Sequence, residues 1–269
     1  MAQTNKQSCI GFPPPLLGDV PLRLPIIAET GEWIALEKPA GVGLREYPWD
    51  SGVVNLDAAL NRQLQESKPE LVRRGASLFG SAYYLDPVIS GVALFAKNRE
   101  TLGALRNSFG SHGFTFRFLF VARAQSGLPV GATATIDAAL LAHNTKPKMI
   151  PSSAKGKKSC THFRLLEASP SGWALWEATA DFLRPHQIRA HAAVLGVSVL
   201  GDVLYEGPDA PLLSDLLPGK RGPGTKYPVF EGPALHLAQV CFSVEDRHFE
   251  IGAAPPRLLK ILLQRMQLS

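Results

Sequence analysis

Apolar and polar residues follow two different periods along the first half of the chain. In TGEWIALEKPAG, Trp33, Ala35 and Glu37 alternate with Ile34 and Leu36 on the opposite face, which predicts a strand followed by a turn. From Val54, VNLDAALNRQLQES places leucines at helical spacing, and RETLGALRNSFG predicts a second helix that ends at Gly110. The apolar runs GVALFAKN and TFRFLFVARA predict strands, the second over residues 115–124. This half therefore mixes strands with two helices.

The second half of the chain has the same alternation of patterns, with more hairpins. THFRLLEA and WALWEATADF predict paired strands joined by SPSG, and ALHLAQVCFSV with RHFEIGA predicts a second pair. RPHQIRAHAAVLG begins with a proline suited to a first helical turn and ends with glycine, so it predicts a helix. PRLLKILLQRMQ predicts an amphipathic C-terminal helix. Because strands outnumber helices and hairpins are frequent, we expect an α+β fold with a largely antiparallel central sheet flanked by helices.

The division into domains follows from the same patterns. Residues 1–24 are rich in proline and aperiodic, so we expect an N-terminal arm laid on the surface. Residues 25–269 show neither an internal repeat nor a clear linker, which predicts one compact domain. Within it, PLLSDLLPGKRGPGTKYP predicts an insertion or loop.

The overall composition excludes several classes of protein. Hydrophobic residues make up 45% and charged residues 19% of the chain, as in ordinary globular proteins. No apolar run approaches the ~20 residues that span a bilayer, and the N-terminus lacks the features of a signal peptide. The three cysteines are too far apart in sequence for a disulfide framework or a CxxC site, and we expect free thiols. We therefore expect a cytoplasmic protein without a membrane segment.

The charge of the chain indicates an anionic partner. Its formal net charge is +5 and its pI is about 9.2. Five lysines lie close together in HNTKPKMIPSSAKGKKS, namely Lys146, Lys148, Lys155, Lys157 and Lys158. Such a loop is either simply solvated or part of a surface that follows phosphates and gives salt-dependent nucleic-acid affinity.

Several common catalytic motifs are missing from the sequence. It contains no GxxxxGK[ST] phosphate loop, no strand-linked GxGxxG and no GxSxG elbow. His186 and His191 are five residues apart, about 140° around a helix, so they do not share a face as zinc ligands of an HExxH helix do. If the protein is an enzyme, we therefore expect chemistry without a metal or a dinucleotide, of a kind that a single carboxylate can carry.

Asp86 is the candidate carboxylate, in the stretch YYLDPVISG. An aspartate before a proline is displaced from the helical region and commonly starts a turn, and taken alone this stretch favours a plain turn. Two other segments change that interpretation. KPAG at residues 38–41 ends a strand, and HQIRAH at residues 186–191 begins near a helix N-terminus with two arginines, a suitable place for an anion.

Together these segments resemble the RluA-type family of RNA pseudouridine synthases. The family motif is Leu-Asp followed by Ser-Gly and an apolar strand, and Asp86 falls on its catalytic aspartate. KPAG, the HQIRxH segment, and the LGD and tyrosine of residues 200–205 match in order, as do parts of the middle section around Lys148 and Met149. The resemblance covers residues 25–257. The residues before it are too few for the N-terminal S4 RNA-binding domain that family members often carry.

The resemblance implies isomerisation of uridine to pseudouridine in structured RNA, a stem-loop of rRNA or tRNA, by one aspartate without a cofactor. It implies Asp86 and Arg189 as catalytic residues, with Arg189 keeping the carboxylate ionised by ion pairing. The remaining candidates are expected to bind substrate, in a pocket that accepts a base removed from its stack. They are Lys38, Tyr84, Phe118, Lys148, Arg184, His186 and Gln187. We expect a monomer.

Two aromatic residues depart from the family pattern. Tyr84 stands where an arginine is expected, and it either stacks against RNA or is only a packed surface aromatic. Phe118 replaces a tyrosine, and it either stacks on uracil or belongs to the core. Two functions from different classes therefore stay open: an active synthase, and a catalytically impaired relative that binds RNA.

Overall fold

The computed structural model describes residues 8–216, 226–228, 230–244 and 247–268. In these residues the chain forms thirteen strands, six α-helices and the 3₁₀ turn Val203–Tyr205. The strands are β1 Cys9–Phe12, β2 Leu22–Glu29, β3 Trp33–Lys38, β4 Gly80–Ser81, β5 Ser90–Ala96, β6 Phe114–Arg123, β7 Thr133–Asp137, β8 Leu140–Ala142, β9 Met149–Pro151, β10 Cys160–Ala168, β11 Trp173–Ala180, β12 Leu235–Val244 and β13 Arg247–Gly252. The helices are α1 Leu56–Gln65, α2 Pro69–Val72, α3 Arg99–Gly110, α4 Gln187–Leu195, α5 Leu213–Leu216 and α6 Arg257–Arg265.

The chain divides into two compact units, where the sequence predicted one domain. The first unit contains Met1–Thr115 and Gln239–Ala253, and the second contains Phe116–Ala238 and Ala254–Ser269. Strands β6 and β12 each have residues in both units. No change in composition marks the boundary, because it falls inside regular strands and not in a linker.

The first unit is built on antiparallel strands in the order β1-β2-β3-β5, with β4 also paired to β5 and β13 paired to β12. Trp33 lies in its core, where its ring meets Phe242 and Phe249 edge to face at centroid distances of 5.5 and 5.0 Å. Such rings bury large apolar areas and contribute strongly to a core. The predicted α+β class with a largely antiparallel sheet is confirmed.

The N-terminal segment differs from the expected arm. Residues 9–12 form β1, which pairs with β2 in the register Ile10 to Leu24. Ile10 and Phe12 are buried, so this strand belongs to the core of the first unit. The strand is too short to show a period in a proline-rich context, which explains why its pattern was missed. Residues 1–7 of the expected arm lie outside the described residues.

Helix α1 holds the segment that leads toward Asp86. Its N-cap is Asn55, whose side chain accepts from the N–H of Ala58 (2.9 Å). The Asp57 carboxylate accepts from both the N–H and the hydroxyl of Ser81, each at 3.0 Å. Asn61 donates to the carbonyl of Phe79 (2.7 Å) and accepts from its N–H (2.9 Å). These bonds fix residues 79–81, which lie just before the YYLDPVISG stretch at residues 83–91.

The second unit contains antiparallel strands in the order β6-β11-β10-β7 and the separate hairpin β8-β9. The predicted hairpin of THFRLLEA and WALWEATADF is confirmed as β10 and β11. Helix α6 contributes Leu259, Leu262 and Leu263 to a buried cluster with Trp173 and Leu175. The predicted C-terminal amphipathic helix is therefore confirmed, with its apolar face in the core of this unit.

Two local predictions need correction. Helix α4 begins at Gln187, so Arg184 and His186 precede it instead of lying in its first turns. His186 is the N-cap and adopts a left-handed conformation with φ of 55°, which the sequence pattern did not show. The predicted loop at residues 211–228 contains the short helix α5, and its residues 217–225 lie outside the described part of the chain.

Candidate active site

The pairing of β3 with β5 brings two predicted motifs together in the first unit. The strands are antiparallel, and Lys38 at the end of β3 lies opposite Gly91 at the start of β5. The KPAG turn and the turn that carries Asp86 therefore lie at the same end of these two strands. The backbone N–H of Gly41 donates to the carbonyl of Pro87 (2.9 Å), and Gly41 has a φ of 91°, which favours glycine there.

Asp86 lies in a tight, buried turn. Its side chain and backbone are only 3% exposed, and its carbonyl accepts from the N–H of Ile89 (3.1 Å). Just before it, the hydroxyl of Tyr83 donates to the carbonyl of Val92 (2.7 Å) and accepts from the N–H of Leu94 (3.3 Å). Burial raises the pKa of Tyr83, so its phenol stays a donor. The turn is thus tied to β5 from its N-terminal side.

Lys38 is buried beneath the same turn, with an exposed fraction of 1%. Its ammonium donates to the carbonyls of Pro39 (2.9 Å) and Pro87 (3.1 Å). Burial lowers the pKa of Lys38 from 10.5 to about 7, and the negative charge of Asp86 acts in the opposite direction. The predicted substrate-binding lysine therefore lies inside the protein, bonded to backbone carbonyls.

Tyr84, the neighbour of the turn, is also buried. Only 5% of the residue is exposed, so it is not a packed surface aromatic in this structure. Its proposed stacking against RNA stays a prediction.

In the second unit, Arg189 forms a buried ion pair with Asp202. Its Nε donates to Oδ2 (2.6 Å) and its Nη2 to Oδ1 (2.7 Å), a two-pronged arrangement that fixes the guanidinium plane. The guanidinium carbon lies 5.1 Å from the centroid of the Tyr205 ring. The expected pairing of Arg189 with Asp86 stays a prediction.

The hydroxyl of Tyr205 links three parts of this unit. It accepts from the N–H of Met149 (2.8 Å), donates to the carbonyl of Met149 (3.1 Å) and lies 3.1 Å from Nδ1 of His186. A hydroxyl has one hydrogen to donate. When that hydrogen goes to Met149, Nδ1 of His186 is the protonated nitrogen. His186 therefore anchors the start of α4 against the hairpin β8-β9.

The remaining residues of the HQIRxH segment also have contacts in this unit. Gln187 donates to the carbonyl of Cys160 (2.9 Å) and to the Thr161 hydroxyl (3.2 Å), and its side-chain oxygen accepts from the N–H of Arg184 (2.9 Å). His191 lies 2.8 Å from the same hydroxyl through Nδ1. Gln187 and His191 thus tie α4 to β10, and substrate binding by Gln187 stays a prediction.

Two predicted substrate-binding residues of the second unit, Arg184 and Lys148, are partly exposed. Arg184 is partly exposed, and its guanidinium carbon lies 4.4 Å from the ring centroid of Phe182; burial lowers its pKa somewhat. The ammonium of Lys148 lies 5.8 Å from the centroid of Tyr205. Substrate binding by these two residues stays a prediction.

Phe118 lies on β6 and is buried. The burial pattern of this strand alternates, which puts Phe116, Phe118 and Phe120 on one face. This row favours the core interpretation of Phe118, and its stacking on uracil stays a prediction.

Three residues that contact the candidate residues or their turns had no predicted role. Asp202 and Tyr205 fall inside the matched segment at residues 200–205, so the motif could have revealed them. Tyr83 had no such signal, since a tyrosine that donates to the next strand has no sequence pattern of its own.

The described residues contain no group of three or more His, Cys, Asp or Glu side chains arranged to hold a metal ion. They also contain no helix that is long and apolar enough to cross a membrane.

Comparison with known proteins gives a consistent result. The family model described as RNA pseudouridylate synthase matches residues 32–194. The ribosomal large subunit pseudouridine synthase D of Xylella fastidiosa is 32% identical over 189 residues, which cover 70% of this chain and 53% of that protein. Its counterpart in Zymomonas mobilis is 25% identical over 93% of this chain and 74% of its own length. The chain thus matches about half of the first relative and about three quarters of the second.

A solved structure agrees in fold. Human RNA pseudouridylate synthase domain containing 4 superposes with a TM-score of 0.67, covering 91% of this chain and 93% of its own, at 16% identity. The expected fold is confirmed by this likeness.

Proposed function

This chain belongs to the RNA pseudouridylate synthase family, and we propose that it isomerises uridine to pseudouridine within structured RNA. In this reaction the N1–C1′ bond of uridine is broken and a C5–C1′ bond is formed, so the product has the composition of the substrate. The substrate is a stem-loop of ribosomal or transfer RNA. We further propose that the enzyme acts as a monomer in the cytoplasm.

One observation carries the proposal: Asp86 lies in a buried, braced turn inside the segment that the family model matches. A carboxylate suits this reaction because it can add to C1′ or stabilise a cationic sugar and then leave. A turn held at Tyr83 and at Pro87 keeps such a group in one orientation. A catalytic group held in a fixed orientation relative to its substrate reacts faster.

The other residues are assigned from their chemistry. We propose that Arg189 keeps the carboxylate of Asp86 ionised. Arg184 and Lys148 contact RNA phosphates, which supplies affinity without sequence information. Tyr84 contacts the base that leaves its stack, where aromatic stacking contributes ~1–3 kcal/mol. His186 and Gln187 hold the residues that meet the RNA.

The direct test uses RNA from cells that lack this protein. Total rRNA and tRNA are incubated with the purified chain, and pseudouridine is mapped by carbodiimide modification and primer extension. We expect stoichiometric conversion of at least one uridine. RNA that is bound without any conversion would overturn the proposal and favour the alternative of an RNA-binding relative, which the family match does not favour.

A test of Arg189 must take its ion pair with Asp202 into account. Arg189→Met removes the positive charge together with the two-pronged bond to Asp202. We expect a loss of rate with little loss of RNA affinity. A parallel loss of affinity would make Arg189 a phosphate contact instead of a partner of Asp86.

A further inference from the structure

We propose that the second unit carries a separate binding cleft for one unpaired guanosine, whose base is recognised by the carboxylate of Glu206. The inference rests on the proposed function in one respect, since it takes that guanosine from the substrate RNA. The cleft has a volume of about 350 Å³, within the range of ~300–1,000 Å³ that small-molecule pockets occupy. All residues that line it belong to the second unit, whereas Asp86 belongs to the first.

Three elements form the walls of this site, the α4 cleft. Ala190, Ala193 and Val194 are three and four residues apart, so they share one face of α4. Strand β9 contributes all of its residues, 149–151, and the 3₁₀ turn contributes Tyr205. A mostly apolar lining with a few polar groups is typical of a site for a small organic ligand.

Hydrogen bonds join the three walls to one another. Oγ of Ser198 donates to the carbonyl of Tyr205 (2.9 Å), which ties the segment after α4 to the 3₁₀ turn. The hydroxyl of Tyr205 accepts from the N–H of Met149 (2.8 Å) and donates to its carbonyl (3.1 Å), which ties the same turn to β9. The α4 cleft is therefore already formed, and a ligand does not have to order its walls on binding.

The charges at the α4 cleft indicate the class of its ligand. Lys148 lines the cleft, and Lys146 is exposed in the hairpin turn that precedes it. Two backbone bonds fix this turn, from the N–H of His143 to the carbonyl of Lys148 (2.8 Å) and from the N–H of Lys148 to that of Lys146 (2.7 Å). An unstacked nucleotide combines an apolar ring with an anionic phosphate, so it fits an apolar cleft that is lined by one lysine and followed by a second.

Glu206 selects the base of that nucleotide. It lines the cleft, is exposed, and has a φ of 57°, a left-handed conformation that residues other than glycine rarely adopt. Such conformations cluster at functional sites. A carboxylate only accepts hydrogen bonds. Guanine is the RNA base with two adjacent N–H donors on one edge, at N1 and N2, so both oxygens of Glu206 can accept from it while Lys148 meets the phosphate.

The test follows methionine methyl groups labelled with ¹³C in the full chain. Of its three methionines, Met149 lines the α4 cleft, and Met266 is buried in the cluster around α6 and serves as an internal control. The protein is titrated with GMP, AMP, UMP and inorganic phosphate, and Met149→Leu assigns the signal. We expect the Met149 signal to shift with a Kd of about 1 mM for GMP, about 10-fold weaker binding of AMP and UMP, and an unchanged Met266 signal.

Three variants sharpen the test, and each replaces an exposed residue. Glu206→Gln should remove the preference for GMP over AMP and UMP. Val194→Glu places a negative charge on the cleft wall, and Val72→Glu is its matched control on α2 of the first unit; these valines are 47% and 51% exposed. We expect Val194→Glu to weaken GMP binding about 10-fold and to raise the KM for substrate RNA by a similar factor with little change in kcat. Val72→Glu should match the wild type in both assays.

The outcomes separate this inference from the proposed function. A Met149 signal that does not move with GMP up to about 10 mM overturns the guanosine cleft, and it is the result expected if a protein partner occupies the cleft instead. Equal responses to GMP, UMP and inorganic phosphate, or a Val194→Glu variant that binds GMP like the wild type, also overturn it. None of these results affects the conversion of uridine, which is measured separately. A wild type that binds GMP but converts no uridine overturns the proposed function and, with it, the part of this cleft in substrate binding.

Discussion

The two units each bury a basic side chain that acts on an aspartate, but they do so in different ways. Arg189 donates two short hydrogen bonds directly to the carboxylate of Asp202. Lys38 donates to the carbonyls of Pro39 and Pro87 and acts on Asp86 through its charge. A mutually bonded pair is a structural tie, whereas a lysine bonded to backbone carbonyls can fix a turn and still influence a carboxylate. We expect loss of the Arg189–Asp202 pair to cost more stability than loss of Lys38, whose removal mainly changes how stability depends on pH.

The largest effect on stability is expected at Asp202. Asp202→Asn keeps the shape of the side chain but leaves the buried guanidinium of Arg189 without its counter-charge. Removal of one partner from a buried ion pair costs about 3–5 kcal/mol. Urea unfolding, with the free energy extrapolated to water, measures this loss.

An exposed pair in the first unit is the control. Arg62 and Glu66 are four residues apart on α1, and their side chains are 61% and 58% exposed. Glu66→Gln should cost at most about 0.5 kcal/mol. Losses of similar size for Asp202→Asn and Glu66→Gln would show that the buried pair is not the structural tie inferred here.

A smaller, pH-dependent effect is expected at Lys38. An unfolded lysine has a pKa near 10.4, whereas burial holds that of Lys38 at about 7 in the folded state. Between these values the unfolded chain binds more protons, so this residue makes the protein more stable as the pH rises. Lys38→Met removes the contribution. The stability of the wild type minus that of Lys38→Met should therefore increase by about 2 kcal/mol from pH 7 to pH 9.

The measurement is urea unfolding of both proteins at the two pH values. Other titrating groups are common to both and cancel in the difference. A difference that stays constant or shrinks with pH would contradict the assignment of a lowered pKa to Lys38.

The smallest effect is expected in the lysine-rich segment of the second unit, residues 143–159. Lys146 and Lys155 are exposed, in contrast to Lys38. If they follow phosphates, Lys146→Ala with Lys155→Ala should lower RNA affinity about 10-fold and reduce the slope of log affinity against log salt by about 2. The matched control replaces Arg257 and Lys260, exposed cations of α6, with alanine. Equal effects of the two double substitutions would favour the merely solvated loop.

The sequence predicted elements where one strong period covers a whole segment. Helices α1 and α3, the hairpin β10-β11 and helix α6 all have an apolar face that repeats at the spacing of its element, and each was predicted within a few residues. Strand β1 is only four residues long, too short for a period, and it was taken for an arm. The start of α4 was placed too early because a left-handed conformation at His186 has no signal in hydrophobic patterning.

The candidate site was predictable only where a motif carried it. Asp86 and Arg189 were assigned from their motif segments, and their catalytic roles stay predictions; the same motif segments contain Asp202 and Tyr205. The burial of Lys38 was not predictable, because a lysine before Pro-Ala-Gly is typical of an exposed turn, and only the register of β3 against β5 places it opposite Gly91. The bonds of Tyr83 to β5 likewise depend on the fold and not on spacing.

The central claim is that Asp86 carries the reaction, and Asp86→Asn tests it most directly. Asparagine keeps the size of the side chain but cannot act as a carboxylate. Pseudouridine formation on a mapped RNA target, RNA affinity and urea unfolding are measured for both proteins. We predict that conversion falls by on the order of 10³-fold or more, with RNA affinity and stability close to those of the wild type. Conversion by Asp86→Asn at the wild-type rate would contradict this account of the site.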